Sequence, residues 1–188
     1  MDATRKLNAT DWVKNYSDIL YSYTLARVQN TAQAEDIVQE TFLSGWRARE
    51  TYNGLASEKN WLYAICKNKI IDYYRKAATN KEVLANENES DEYFFAEDGH
   101  WNNNNAPKYW AIDYNQPVEK KEFYSILNQC KSKLKEVQQS VFTMKYLEDA
   151  NAAEICETLG ISPQNYWVLI HRAKLQLRTC LEKNWINI

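Results

Sequence analysis

Between residues 51 and 76 the chain mixes cations and amides with aromatic rings. The stretch "TYNGLASEKNWLYAICKNKIIDYYRK" sets Lys59, Asn60, Lys67, Asn68, Lys69, Arg75 and Lys76 among Tyr52, Trp61, Tyr63, Tyr73 and Tyr74, with Asn53 and a glycine in the preceding loop. Cations can follow a phosphate backbone and ring faces can stack unpaired bases, each stacked base contributing roughly 1–3 kcal/mol. These are the ingredients of single-strand nucleic-acid binding. A helix with aromatic core positions and solvated lysines has the same composition, so composition alone leaves both readings open.

A second constellation lies near the C-terminus, in "NAAEICETLGISPQNYWVLIHRAKLQLR". A short helix carrying Ala153, Ile155 and Leu159 meets Gly160, which permits a sharp turn. Ser162 is placed to cap a second helix and Pro163 to begin it. The pattern predicts a helix-turn-helix, whose second helix would offer Ser162, Gln164, Asn165, Trp167, His171 and Arg172 to duplex DNA. The apolar triplet Trp167, Val168 and Leu169 is unexpected where polar side chains should face bases.

Nothing in the chain suggests bond-making chemistry. No nucleophile–base pair, metal cluster or phosphate-cradling loop is recognisable, so neither catalytic residues nor a cofactor is expected. Cys66, Cys130, Cys156 and Cys180 are scattered singly, and His100 and His171 are the only histidines. This spacing predicts four reduced, mostly packed thiols, with no metal site and no disulfide framework.

These groups must be positioned by helices. With only four glycines and three prolines in 188 residues, and abundant Leu, Ala, Glu, Lys and Gln, the chain reads as all-α. Trp12, Val13, Tyr16, Ile19, Leu20, Tyr23, Leu25 and Ala26 outline a first amphipathic helix. Ile37, Val38, Thr41, Phe42 and Trp46 outline a second, with Thr31 as its expected cap. Leu62, Ile65, Ile70 and one of Tyr73 and Tyr74 outline a third. The second helix also presents Asp36, Gln39 and Glu40, either a solvated face or a docking surface for a basic partner. After Pro117, two further helical stripes precede the helix-turn-helix, the second through Val137, Val141, Phe142 and Leu147.

Charge divides the chain into three parts. Residues 1–78 carry 11 basic and 9 acidic groups, residues 79–118 carry 2 and 8, and residues 119–188 carry 10 and 8. The acidic middle, with its "NNNN" run, Gly99, Pro107 and Pro117, shows no sustained helical period and predicts a linker over 79–117 between domains at 1–78 and 118–188. Its aromatics, including Phe94, Phe95, Trp101 and Trp110, are too many for an inert tether. No apolar run approaches the roughly 18 residues that cross a bilayer, and the polar start "MDATRKLNATD" lacks a signal-peptide core. A cytoplasmic protein without membrane insertion is expected.

Three motifs in order resemble one family across nearly the whole chain. "AEDIVQETFLSGW" looks like its polymerase-binding helix, "NWLYAICKNKIIDYYRK" like its promoter-melting helix and "LGISPQNYWVLIHRA" like its upstream-element reader. The chain resembles bacterial sigma-70 family RNA polymerase sigma factors of the extracytoplasmic-function group, which contain only the second and fourth conserved regions. The resemblance implies a transcription initiation factor. Asp36, Gln39, Glu40 and Phe42 would dock on the clamp helices of the largest polymerase subunit, and the second domain would contact the beta flap. The loop from Tyr52 and Asn53 to Asn60 would capture flipped minus-ten bases. Lys59, Asn60, Trp61, Lys67, Asn68, Tyr73, Arg75 and Lys76 would hold the melted strand, Trp61 and Tyr73 partly serving as core. The acidic linker would run through the polymerase's active-site cleft and RNA exit channel.

In most such relatives basic side chains are expected near positions 167 and 169. Three accounts of Trp167 and Leu169 compete. Helix rotation buries Leu169 beside Tyr166, Ile170 and Ala173 and leaves only Trp167 exposed; Trp167 and Val168 pack on thymine methyls while Gln164, Asn165 and Arg172 make polar contacts; or upstream reading is weak and an anti-sigma factor or a separate recruiting protein covers the patch. A stand-alone helix-turn-helix regulator or helical adaptor is the alternative for the whole protein.

Overall fold

The structure, a computed structural model, describes residues 7–79 and 117–186, with side chains through 185 except those of 117–119. The described residues are helical, without strands, and the chain divides into two units, Met1–Arg75 and Lys76–Ile188. Most of the acidic segment expected as a linker, residues 80–116, lies outside the described residues.

The core of the N-terminal unit comes from α1 (Trp12–Val28), α2 (Thr31–Ala48) and the part of α3 (Glu58–Thr79) up to Arg75. The buried row of α1 is Trp12, Leu20, Thr24 and Val28, at spacings of four or eight. It is narrower than the apolar pattern suggested: Val13, Ile19 and Ala26 are exposed. Thr24 occupies a core position because its hydroxyl is satisfied by the Cys66 thiol 3.2 Å away. Burial pushes the Cys66 thiol above its ordinary pKa, outweighing hydrogen bonds from Thr24 and Thr41.

Asn30, not Thr31, caps α2, its side chain accepting from Gln33 N at 3.1 Å. Its inward row is Ala34, Ile37, Val38, Thr41 and Gly45. Gly45 takes the position expected for Trp46, because a Cβ there would stand 3.1 Å from both Leu62 Cδ2 and Trp12 Cζ3. The missing side chain lets three helices close, and Trp46 is left 51% exposed. In α3 the buried row is Leu62, Cys66, Ile70 and Tyr74, so Tyr74 is the inward tyrosine. Ser57 Oγ accepts from Asn60 N at 3.2 Å and closes the first turn.

Glu58, unremarkable in the sequence, ties both ends of this unit together. Its Oε1 accepts from the Asn8 backbone N–H at 2.7 Å and the Trp12 indole N–H at 2.6 Å, and its Oε2 accepts from the Tyr16 hydroxyl at 3.1 Å. Glu58→Ala would leave the indole donor of Trp12, a residue 2% exposed, without this partner. The expected loss is about 2–3 kcal/mol of unfolding free energy, measurable by denaturant titration of the N-terminal transition.

The C-terminal unit contains α4 (Pro117–Lys131), α5 (Glu136–Tyr146), α6 (Ala152–Leu159) and α7 (Pro163–Leu181), with a π turn over Glu182–Ile186. α5 is buried on most sides, through Val137, Gln138, Gln139, Ser140, Val141, Thr143 and Met144. Leu147, expected inward, follows the helix and is 41% exposed. Ala153 is likewise exposed; α6 packs through Ile155 and Leu159. The expectation of four reduced thiols fails at two positions. Cys130 and Cys180 form a disulfide, while Cys66 and Cys156 are free. Spacing hid this pair, because 50 residues separate cysteines that α4 and α7 bring to a Cα–Cα distance of 5.8 Å.

Candidate nucleic-acid interface

α3 carries the first candidate face. Lys59, Asn60, Lys67, Asn68, Arg75 and Lys76 are exposed, on a helix whose opposite row is core. From Lys59 to Lys76 these positions span roughly 25 Å of the helix axis at the helical rise per residue. Asp72 adds a local anion, 3.5 Å from Arg75. Trp61 is half-buried, its ring 5.3 Å from Tyr52 and 6.0 Å from Trp12. Tyr73 is half-buried too, beside Tyr74 at 6.0 Å. Trp61 and Tyr73 thus combine partial packing with an open edge. Lys59 Nζ lies 5.9 Å from the Tyr63 ring, which meets Tyr23 edge-on at 5.0 Å.

The loop before α3 is shaped by its own side chains. Tyr52 donates its hydroxyl proton to the Ala56 carbonyl, Asn53 Oδ1 accepts from Leu55 N at 3.1 Å, and Gly54 adopts φ 75°. Such an Asx turn holds the loop without help from the core. It raises Leu55 to 87% exposure. Sequence reading passed over Leu55; an apolar residue directly after a turn glycine is the available signal.

On α2, Asp36, Gln39 and Glu40 are exposed and Phe42 is half-buried. Gln39 and Phe42 line a groove of about 480 Å³ between α1 and α2, together with Val13, Tyr21 and Val38. Glu40 is paired with Lys69 of α3 at 3.3 Å. Leu43, 56% exposed, and Trp46 continue the same face, the Trp46 ring lying under the Arg49 guanidinium at 4.4 Å. This face is acidic at its start and apolar at its end.

The helix-turn-helix has the punctuation expected of it. Asn151 and Glu154 form a capping box on α6, Gly160 ends that helix at φ 67°, and Ser162 Oγ accepts from Asn165 N at 3.1 Å ahead of Pro163. Along α7 the exposed stripe is Gln164, Trp167, Val168, His171 and Lys174, at helical spacing. Trp167 is 64% and Val168 39% exposed, whereas Leu169 is fully buried beside Tyr166, Ile170 and Ala173. Helix rotation therefore resolves Leu169, but leaves two apolar residues outward rather than one. Ser162 is exposed and Asn165 half-buried; Arg172 is only 5% exposed. Its position on the inward side of α7 removes Arg172 from the candidate DNA contacts. Lys174, absent from the expected set, stands one turn beyond His171, its Nζ 5.7 Å from the Tyr146 ring.

Two compact helical units, one with a cation-and-aromatic helix and one with a capped helix-turn-helix, are what a nucleic-acid-binding protein would present. Residues 12–79 match the family model for Sigma-70 region 2, and residues 124–177 that for Sigma-70, region 4. A probable RNA polymerase sigma factor of Haemophilus influenzae is 32% identical over 169 residues, 87% of this chain and 84% of that protein. The Bacillus subtilis factor SigM, named as an ECF RNA polymerase sigma factor, is 26% identical over 163 residues, 87% of this chain and 88% of its own. The B. subtilis sigma factor YlaC is 24% identical over 177 residues, 93% and 92% of the two chains. Among solved structures, the sigma factor RpoE in complex with the anti-sigma factor NepR from Bartonella quintana matches at a TM-score of 0.42 and 16% identity, over 93% of this chain and 97% of that one. That likeness is too loose to bear on how the parts are arranged.

The chain belongs to the sigma-70 family of RNA polymerase sigma factors, in the extracytoplasmic-function group. Its function is to direct transcription initiation, with RNA polymerase and promoter DNA as partners. Nothing favours the stand-alone regulator or adaptor.

Proposed function

We propose that the two exposed stripes divide promoter recognition between them, and that this protein acts in the cytoplasm as a binding factor without catalysis of its own. The family assignment supports the reading, because sigma factors act as initiation factors and not as catalysts themselves. Bond formation belongs to the polymerase. The observation that carries the reading is α3 itself, where Lys59, Asn60, Lys67, Asn68, Arg75 and Lys76 are exposed and Trp61 and Tyr73, with Tyr52 of the preceding loop, are half-buried.

On this reading that helix holds the melted minus-ten strand, with Tyr52, Asn53 and the protruding Leu55 forming the rim that receives unstacked bases. Unstacking a base costs a few kcal/mol, and capture at the correct sequence offsets it. Strand opening and sequence choice become one event. Asp36, Gln39, Glu40 and Phe42, extended by Leu43 and Trp46, dock on the clamp helices of the polymerase. Ser162, Gln164, Asn165, Trp167 and His171, joined by Lys174, face the upstream duplex, and the C-terminal unit also meets the beta flap.

The exposure of Trp167 and Val168, with Tyr146 at 49% and Leu147 at 41%, supports one further partner. These residues give the C-terminal unit an apolar surface that an anti-sigma factor or a recruiting protein would cover.

Abortive and run-off transcription with purified core polymerase tests the reading on two templates, a linear duplex and a pre-melted bubble. Initiation on the duplex is expected if the C-terminal unit reads upstream DNA unaided. Initiation on the bubble alone would assign positioning to the recruiting partner. Failure on both, with no polymerase binding, would overturn the division proposed.

A further inference from the structure

The disulfide of the C-terminal unit lies outside the residues named above for polymerase and DNA. It joins Cys130, at the end of α4, to Cys180, in the last turn of α7. Around it lies the apolar cluster of Leu134, Ala173, Leu177 and Leu181, with Phe123, Ile126, Leu127 and Phe142 at its edge. The bridge therefore fastens α4 to the far end of the helix that begins the DNA-facing stripe. A sigma factor works in the reducing compartment that holds the chromosome, where disulfides are rare and those that form are usually transient or redox-sensing.

The two sulfurs are not equivalent. Cys130 is 2% exposed, while Cys180 is half-buried. Asn184 Nδ2 lies 3.5 Å from Cys180 Sγ and also donates to the Cys180 carbonyl at 2.6 Å. The more open sulfur is the one that a small thiol or disulfide can reach in exchange. The free thiols lack this combination: Cys66 is fully buried in the N-terminal unit, and half-buried Cys156 has no cysteine paired with it.

We propose that Cys130 and Cys180 are a reversible thiol–disulfide pair that switches the stability of the helix-turn-helix unit, with Cys180 exchanging with small thiols and disulfides and Cys130 resolving the mixed disulfide. This rests on the sigma-factor reading for its compartment. In the oxidising direction the Cys180 thiolate attacks one sulfur of a low-molecular-weight disulfide, RSSR. The reagent's S–S bond breaks, a Cys180–SR bond forms and RS⁻ leaves. The Cys130 thiolate then attacks Cys180 Sγ, forming the bridge and expelling the second RS⁻. Two electrons pass from the protein thiols to RSSR, and their two protons leave on two RSH. Reduction reverses these steps, a small thiolate entering at the more open Cys180.

Closing this loop removes conformational freedom from the unfolded chain and shifts the unit's folding equilibrium by roughly thirtyfold to a thousandfold. The corresponding thermal transition moves by on the order of 10 °C or more. From His171 to Cys180 is roughly 14 Å along the helix, so the switch acts on the contact residues through the stability of α7 and not by touching them.

The full-length wild-type chain, equilibrated across reduced-to-oxidised glutathione ratios, quenched, denatured, alkylated and mass-analysed, gives the primary test. Cys130 and Cys180 are expected to lose alkylation together at an intermediate ratio, while Cys66 and Cys156 stay alkylatable. In Cys130→Ser a glutathione adduct should collect on Cys180; in Cys180→Ser the Cys130 thiol should stay unmodified. Calorimetry of the wild type should show the C-terminal transition falling on reduction. Free thiols at the most oxidising ratio, a bridge surviving the most reducing one, or identical transitions in both states would overturn the proposal. None of these readouts requires polymerase, so failure of the functional reading would register separately, in transcription.

Discussion

Leu169→Lys is expected to unfold the C-terminal unit, whereas Trp167→Lys, two residues earlier on the same helix, should leave its stability within about 0.5 kcal/mol. Both substitutions install the basic residue expected in relatives, so chemistry alone predicts similar outcomes. Exposure separates them. Leu169 is fully buried and Trp167 is 64% exposed. Removing the leucine forfeits about 2–5 kcal/mol of packing, and an ammonium placed there must be desolvated or lose its proton. A total of about 4 kcal/mol or more is a large share of a small unit's stability. Circular dichroism melts and denaturant titration of each variant check this. A natively folded Leu169→Lys protein would show that α7 sits in a different rotation. Trp167→Lys carries a second expectation, because its new cation would join Gln164, Val168, His171 and Lys174 on the open stripe. If it neutralises one phosphate, the slope of log affinity against log salt for upstream duplex steepens by about 0.9.

The same pair shows which features were legible in sequence. Punctuation was: Ser162, Pro163 and Gly160 act through their own backbone chemistry, which needs no distant partner, and each does in the structure what its type implies. Helical periodicity also found the elements, but not their rotation within about one position. Tyr166, Trp167, Val168, Leu169 and Ile170 are all apolar, so the stripe has no polar edge to fix it, and packing against α5 and α6 decides which side is inward. Arg172 fell on the wrong side for the same reason. Features made by two distant segments were not legible. Gly45 is a contact between helices, Glu58 a clasp across 46 and 50 residues, and Cys130–Cys180 a meeting of two helix ends. No local pattern encodes any of them.

The combined variant Lys59→Ala, Lys67→Ala and Lys76→Ala should keep its fold and lose single-strand affinity. All three residues are exposed, and alanine is the best helix former, so the stability change expected is small. Each lysine that neutralises a phosphate of an unpaired strand contributes about 0.7 to the salt slope. Three of them flatten it by about 2, and weaken binding roughly fiftyfold at 0.15 M salt. Binding of holoenzyme to a fluorescent non-template minus-ten strand over a salt series reads both quantities. The pre-melted template separates this face from the helix-turn-helix. Trp167→Ala should spare bubble initiation, because the strand is already open and upstream contacts add little. The triple variant should depress initiation on bubble and duplex alike, because the strand itself is no longer held. An unchanged salt slope would mean that these lysines are a solvated face and that the rings of Tyr52 and Trp61 carry whatever single-strand affinity remains. In that event α3 would owe its exposed cations to solubility, and strand capture would have to be relocated to the loop of Asn53 and Leu55.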